Sequence, residues 1–240
     1  MNILLSNDDG YKSLGLLTLK EELNKFGKVF TIAPHKDISA SSSSLSVHNP
    51  VKVQLLSKNF YKAYGTPSDC VHIATRGLLT KYPDIVFSGI NFGSNMGDDV
   101  IYSGTVGAAI EGRHAKYGSY AISIVSNKPK YTKDIDKNIN YVLDYIFQEL
   151  IKYKSIFNIN IPDIPFSKIK GFKITRVGTR NISKRAQKIK KNPIHFNIGA
   201  VGKGNLLSNS DFDAIKKNYI SVTPISIDMT DNNLYQKFKI

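Results

Sequence analysis

Two adjacent carboxylates, Asp8 and Asp9, close the short apolar run Asn2-Ile3-Leu4-Leu5-Ser6 at the start of the chain and are followed by Gly10. Neighbouring carboxylates repel unless a cation lies beside them, and a hard cation such as Mg2+ or Mn2+ prefers oxygen donors. The same Asn, Asp and Gly residues also build an ordinary solvated turn, so the pair alone does not decide between the two. Asn91 and Asn95, in Ser88-Gly89-Ile90-Asn91-Phe92-Gly93-Ser94-Asn95, offer neutral amide oxygens. Such oxygens complete an all-oxygen shell without adding charge that would repel phosphate, although a flexible Gly/Asn loop has the same composition. Ser103-Gly104-Thr105 opens a run of small residues. At a helix start, free N–H groups and the positive dipole end make an anion site or a plain N-cap. The serine run over residues 39–46 supplies hydroxyl ligands or serves as a linker. Among the histidines, His35 beside Pro34 is the one placed to act, whereas His72 fits a packed helical position.

These residues need elements to position them. Residues 2–6 read as a buried strand, residues 13–26 as a helix stopped by Gly27, and residues 29–33 as a second strand ended by Pro34. Residues 51–56 and 60–64 suggest a strand pair. Ser68 is predicted to cap a helix carrying Val71, Ile73, Ala74 and Leu78. Residues 84–88 form the next expected strand, residues 89–101 a glycine-rich loop, and a helix starts at Ser103. A strand over residues 121–125 and an amphipathic helix marked by Ile139, Val142, Leu143, Ile146 and Leu150 complete the regular part. Alternation of this kind predicts α/β architecture with a parallel sheet, whose ligands bind beyond the carboxyl ends of the strands. The polar clusters 6–10, 34–46 and 88 onward all fall at such ends, so residues distant in sequence can converge on one crevice. After about residue 157 the pattern loosens. Residues 172–177 and 219–223 alternate as antiparallel or partly exposed strands do. One domain over residues 1–240 is expected, its last third less regular.

Composition bounds the function. The chain is 41% hydrophobic and 22% charged, enough apolar material for a core without staples. A single cysteine, Cys70, excludes an intramolecular disulfide framework and fits a reducing compartment. Neither an 18-residue apolar run nor a basic, cleavable leader is visible, so no membrane span is expected and the cytoplasm is the expected location. Net charge is +14, which favours anionic partners, although a Lys-, Asn- and Ile-rich composition yields the same surplus. Lysine and arginine crowd residues 168–203, but no aromatic-interleaved basic motif accompanies the charge, so nucleic acid is not expected as the primary partner. Motifs for a nicotinamide enzyme, a P-loop NTPase, an α/β-hydrolase and a zincin are absent from the sequence.

Taken together, these segments resemble the SurE family of 5′/3′-nucleotidases (survival protein E, acid-phosphatase-like). The matching stretches are residues 3–10, Ala33-Pro34 with residues 39–46, residues 65–72, Ser88-Gly89-Ile90-Asn91, residues 97–106 and Ser221-Val222-Thr223-Pro224-Ile225. The resemblance implies a three-layer, Rossmann-like α/β/α core with a mostly parallel sheet over about residues 1–160. It implies a C-terminal extension over about 161–240 that joins subunits into a homodimer or homotetramer. It implies one divalent cation per subunit, Mg2+ or Mn2+, held by Asp8, Asp9, Ser39 and Asn91. It also implies a phosphate pocket at Asn95, Ser103, Gly104 and Thr105. Proteins of this kind remove phosphate from nucleoside 5′- and 3′-monophosphates, and some also trim short polyphosphate. The chain departs from the family pattern at His35, Ile38 and Ala40, where Asp, Arg and Gly are usual. Asp8 and Asp9 are the expected catalytic residues, through either a metal-activated water or an aspartyl-phosphate. A non-catalytic nucleotide- or anion-binding module using the same crevice is the competing reading.

Overall fold

In the computed structural model, which describes residues 1–191 and 193–239, β1 (Asn2–Ser6) lies in the middle of the sheet with Ile3, Leu4 and Leu5 fully buried. A run apolar on both faces is what a central parallel strand needs. Ser13 caps α1 (Leu14–Leu23), its hydroxyl accepting from Leu16 N at 3.3 Å. The predicted helix ran on to residue 26. Instead the last residues tighten into i→i+3 turns, Lys25 N to Glu22 O at 3.2 Å and Phe26 N to Leu23 O at 3.0 Å. Next come β2 (Lys28–Pro34) and the antiparallel pair β3 (Val53–Ser57) and β4 (Phe60–Ala63), as expected.

The cap of α2 (Pro67–Ile73) is Thr66 and not Ser68. Pro67 stands at the first helical position, and Asp69 reciprocates by accepting from Thr66 N at 2.9 Å. Proline at that position and the reciprocal capping box outweigh a serine already inside the helix. β5 (Ile85–Phe92) is also longer than expected and takes in the first residues of the supposed glycine loop. Gly89 makes this possible: its φ is +137°, and a Cβ there would strike the Ile122 carbonyl. The register against the next strand slips between Ser88 and Asn91. Asn91 therefore sits at a strand end.

Further along are α3 (Gly104–Glu111), β6 (Ser119–Ile124), α4 (Ile135–Tyr145) and β7 (Ile156–Ile161). They are followed by β8 (Phe172–Ile174), a separate hairpin of β9 (Gln187–Lys191) and β10 (Ile194–Asn197), then α5 (Asp211–Lys216), β11 (Ile220–Ile225) and α6 (Asn232–Phe238). The nine-stranded sheet has the order β3-β4-β2-β1-β5-β6-β7-β11-β8. From β4 through β7 every pairing is parallel. β11 runs antiparallel to β7, and β8 pairs in parallel with β11. Leu16, Leu19 and Leu23 of α1 share one core cluster with Ile139, Val142 and Leu143 of α4. Val71 and Ala108, from α2 and α3, share a second cluster with Leu4 and Ile32. Helices thus flank the sheet in three layers. Phe87, Tyr120 and Phe157 stack across β5, β6 and β7 at 5.3 Å and 5.4 Å, each pair adding about 0.5–1.5 kcal/mol beyond burial.

One consequence positions the site. From β1 the chain crosses to β2 on one side, while β5 lies on its other side. Sheet order reverses there, and a crevice opens at the carboxyl end of β1. No helix among the described residues is long and apolar enough to cross a membrane.

Candidate metal and phosphate site

Asp8, Asp9, Ser39, Asn91, Asn95 and Ser103 all line one cleft of about 1110 Å³. Asp8 and Asp9 follow β1, Ser39 lies in the loop after β2, and Asn91 is the next-to-last residue of β5. Ile38 N donates to the Asp8 carbonyl at 2.9 Å, tying the serine loop to the carboxylate turn.

Asp8 is buried and held by Thr105, whose backbone N–H reaches Oδ2 at 3.1 Å and whose hydroxyl reaches Oδ1 at 2.6 Å. Burial raises its pKa above the ordinary carboxylate value, and the Thr105 bonds oppose that rise. Asp9 is pushed up to about 7, first by burial and then by the charge of Asp8, with Phe92 N donating to its Oδ2 at 3.3 Å. Gly104 lies so close that a Cβ would come within 2.7 Å of Ser41 Oγ and 3.1 Å of Asp8 Cβ.

Thr105 and Gly104 are thus brought to the site, but behind Asp8 and not onto the cleft surface. Both donors of Thr105 are committed to Asp8. Ser103 does face the cleft, and its Oγ accepts from Val106 N at 3.1 Å, which leaves the hydroxyl proton for a ligand.

Ser39 donates both N–H and hydroxyl to Asp37 Oδ1, at 2.8 Å and 2.5 Å. Its oxygen lone pairs stay open to a cation. Asn91 donates Nδ2 to the Gly93 carbonyl at 2.8 Å, which fixes the amide and keeps its oxygen as acceptor. Asn95 is held from four directions. Its N–H donates to Asn160 Oδ1 at 2.9 Å and its Nδ2 to Ser123 Oγ at 2.8 Å. Its carbonyl accepts from Asn158 Nδ2 at 2.7 Å and Asn160 Nδ2 at 3.0 Å.

Those asparagines explain why β7, polar at alternate positions, is nevertheless fully buried. Sequence reasoning missed that strand. It also missed Arg180, which lines the cleft and donates Nη2 to Asp99 at 2.5 Å and Nη1 to the Gly202 carbonyl at 2.9 Å. The Arg180 N–H meets Asp98 Oδ2 at 2.7 Å. No local signal marks this arginine, because its partners lie far away in the chain. His35, the other candidate, is outside the cleft lining and stacks on Tyr64 at 4.5 Å.

The electrostatics fit a cation. Asp8, Asp9, Asp37, Asp98 and Asp99 line the cleft against Arg180, so the positive surplus of the chain lies elsewhere. Among the described residues, no three His, Cys, Asp or Glu side chains group closely enough to hold a metal by themselves. Neutral oxygens must complete any shell, and Ser39 and Asn91 are available. The donor set is then entirely oxygen, which suits a hard divalent ion.

The family model described as Survival protein SurE matches residues 3–184. The chain is 48% identical over 238 residues to the 5′/3′-nucleotidase SurE of Wigglesworthia glossinidia brevipalpis, covering 97% of this chain and 94% of that protein. It is 42% identical over 234 residues to the 5′-nucleotidase SurE of Ruthia magnifica subsp. Calyptogena magnifica, covering 97% and 95%. In structure it is similar to the SurE protein from Aquifex aeolicus, with a TM-score of 0.85 at 34% identity over 100% of this chain and 98% of that one. Family match, near-complete coverage and shared architecture agree: the chain belongs to the SurE family.

Proposed function

We propose that this protein is a divalent-metal-dependent 5′/3′-nucleotidase whose cation is held by Asp8, Asp9, Ser39 and Asn91. The observation that carries this reading is the sign of the cleft. Five aspartates against one arginine would repel a phosphate dianion, and a cation among them reverses the local field. When bound, the cation supplies Lewis-acid polarisation of the phosphoryl group and acidifies water.

The protein's own groups do the rest. Thr105 fixes the carboxylate of Asp8. Asp9, directly after β1 and beside Asp8, takes the proton of the attacking water. Asn95, immobilised by Asn158, Asn160 and Ser123, and the Ser103 hydroxyl donate to phosphoryl oxygens as charge accumulates. Support for the substrate class comes from the relatives, which carry the names 5′-nucleotidase and 5′/3′-nucleotidase. Short polyphosphate is a second substrate under this reading.

A homodimer or homotetramer forms through residues 161–240, where Ile182 and Phe238 are 98% and 78% exposed and gain a partner on assembly. A cytoplasmic setting fits the one buried cysteine. The test is a panel of nucleoside 5′- and 3′-monophosphates offered to chelator-stripped protein with Mg2+, Mn2+ or neither. Phosphate release that needs the cation supports the proposal. Release from none of them would leave only a binding module.

A further inference from the structure

Tyr102 is 64% exposed, yet its backbone is pinned on both sides. Its N–H donates to the Asp99 carbonyl at 3.0 Å and its carbonyl accepts from Ser42 N at 3.0 Å. Ser42 Oγ also donates to the carbonyl of Ile101 at 2.7 Å. The ring is thus presented on a fixed stem. Tyr11 and Tyr64 each meet a ring or a lysine, whereas Tyr102 has no such partner among the described residues.

Tyr102 also lines the cleft and directly precedes Ser103. The other large exposed apolar side chains of the cleft wall are Ile198 and Val201. One guanidinium joins the two segments, since Arg180 binds Asp99 in the turn before Tyr102 and the Gly202 carbonyl beside Val201. The cleft, at about 1110 Å³, is far larger than a phosphate ion requires. It suits a ligand with an apolar end, since organic-ligand pockets run to roughly 300–1,000 Å³.

We propose that Tyr102 stacks the nucleobase of the substrate, with Ile198 and Val201 covering the base's other face. This rests on the nucleotidase reading and adds to it a base subsite separate from the phosphate end at Asp8 and Asp9. Every base has a π-face, so such a platform accepts purines and pyrimidines alike and discriminates nucleotides from base-free sugar phosphates.

Steady-state kinetics on AMP and ribose 5-phosphate, with Mn2+ present, test the subsite in wild type, Tyr102→Ala and Tyr102→Phe. The ratio of KM for AMP to KM for ribose 5-phosphate should rise about tenfold in Tyr102→Ala, as expected for removing one base-stacking aromatic. Tyr102→Phe should keep the wild-type ratio. An unchanged ratio in Tyr102→Ala overturns the proposal, and so does an equal loss for both ligands. Tyr102→Leu serves as the truncated variant where alanine unfolds the chain. Should wild type hydrolyse neither compound, the nucleotidase reading fails on its own. Equilibrium binding of AMP against ribose 5-phosphate then decides the subsite, a loss confined to AMP supporting it and an equal loss overturning it.

Discussion

Thr105 donates twice to Asp8, through its N–H at 3.1 Å and its hydroxyl at 2.6 Å, across 97 positions of sequence. The start of α3 therefore acts on the carboxylate that ends β1. Groups that orient a ligand side chain typically change metal affinity or activity by about 10–100-fold when removed. Thr105→Val keeps the shape and deletes the hydroxyl, so Mn2+ affinity measured by calorimetry should fall within that range. Thr105→Ser should retain most of it. Equal affinity in wild type and Thr105→Val would show that Asp8 needs no such support.

Ala40 occupies the left-handed region with φ +57°, in the serine loop that carries Ser39. An L-residue there costs about 1–2 kcal/mol, while glycine carries about 0.5–1 kcal/mol of extra unfolded-state entropy. Ala40→Gly should accordingly stabilise the protein by up to about 1 kcal/mol, read from urea denaturation. A loss of stability would mean that the loop holds this backbone without strain.

Asp9 keeps its proton to about pH 7, against about 3.9 in an unfolded chain. Between those values the folded, metal-free protein binds more protons than the unfolded one, so this group's contribution to stability is lost as pH rises from about 4 to about 7. Cation binding requires the ionised carboxylate and strengthens over the same window. Thermal melts should show a Mn2+-induced rise in Tm that grows from about pH 5 to about pH 8, and Asp9→Asn should flatten both trends. A Mn2+ shift that is independent of pH would contradict this assignment.

What could be read from residue order was whatever local pattern determines. The apolar run 2–6 before Asp8 and Asp9 announced the strand, and Ser103 announced the start of α3. The capping error at Ser68 overlooked Pro67, whose place at the first helical position makes Thr66 the cap. β7 escaped because Asn158 and Asn160 break an apolar run, and only Asn95, more than 60 positions earlier, explains their burial. Arg180 escaped for the same reason, its carboxylate partner Asp99 lying 81 positions away. Side chains that serve a distant backbone carry no periodic signature.

That arginine makes a separate prediction. Arg180 bridges Asp99 and the Gly202 carbonyl, and its guanidinium stacks on Phe212 at 4.9 Å. Arg180→Met removes both bonds and leaves Asp99 unpaired, a loss of about 1–3 kcal/mol. Lys184, Arg185, Lys188 and Lys190 follow it in exposed chain. Limited trypsin digestion should cut this stretch faster in the variant, and Asp99→Asn should behave similarly. Identical cleavage rates would show that the ion pair does not secure this stretch.

The most direct test of the central claim is the initial rate of phosphate release from AMP by chelator-stripped protein titrated with Mn2+, run beside Asp8→Asn. A saturable, cation-dependent rate in the wild type that disappears in Asp8→Asn is the predicted result. A wild-type rate that is the same without the cation, or a variant that keeps full cation-dependent activity, would contradict a metal held at the end of β1.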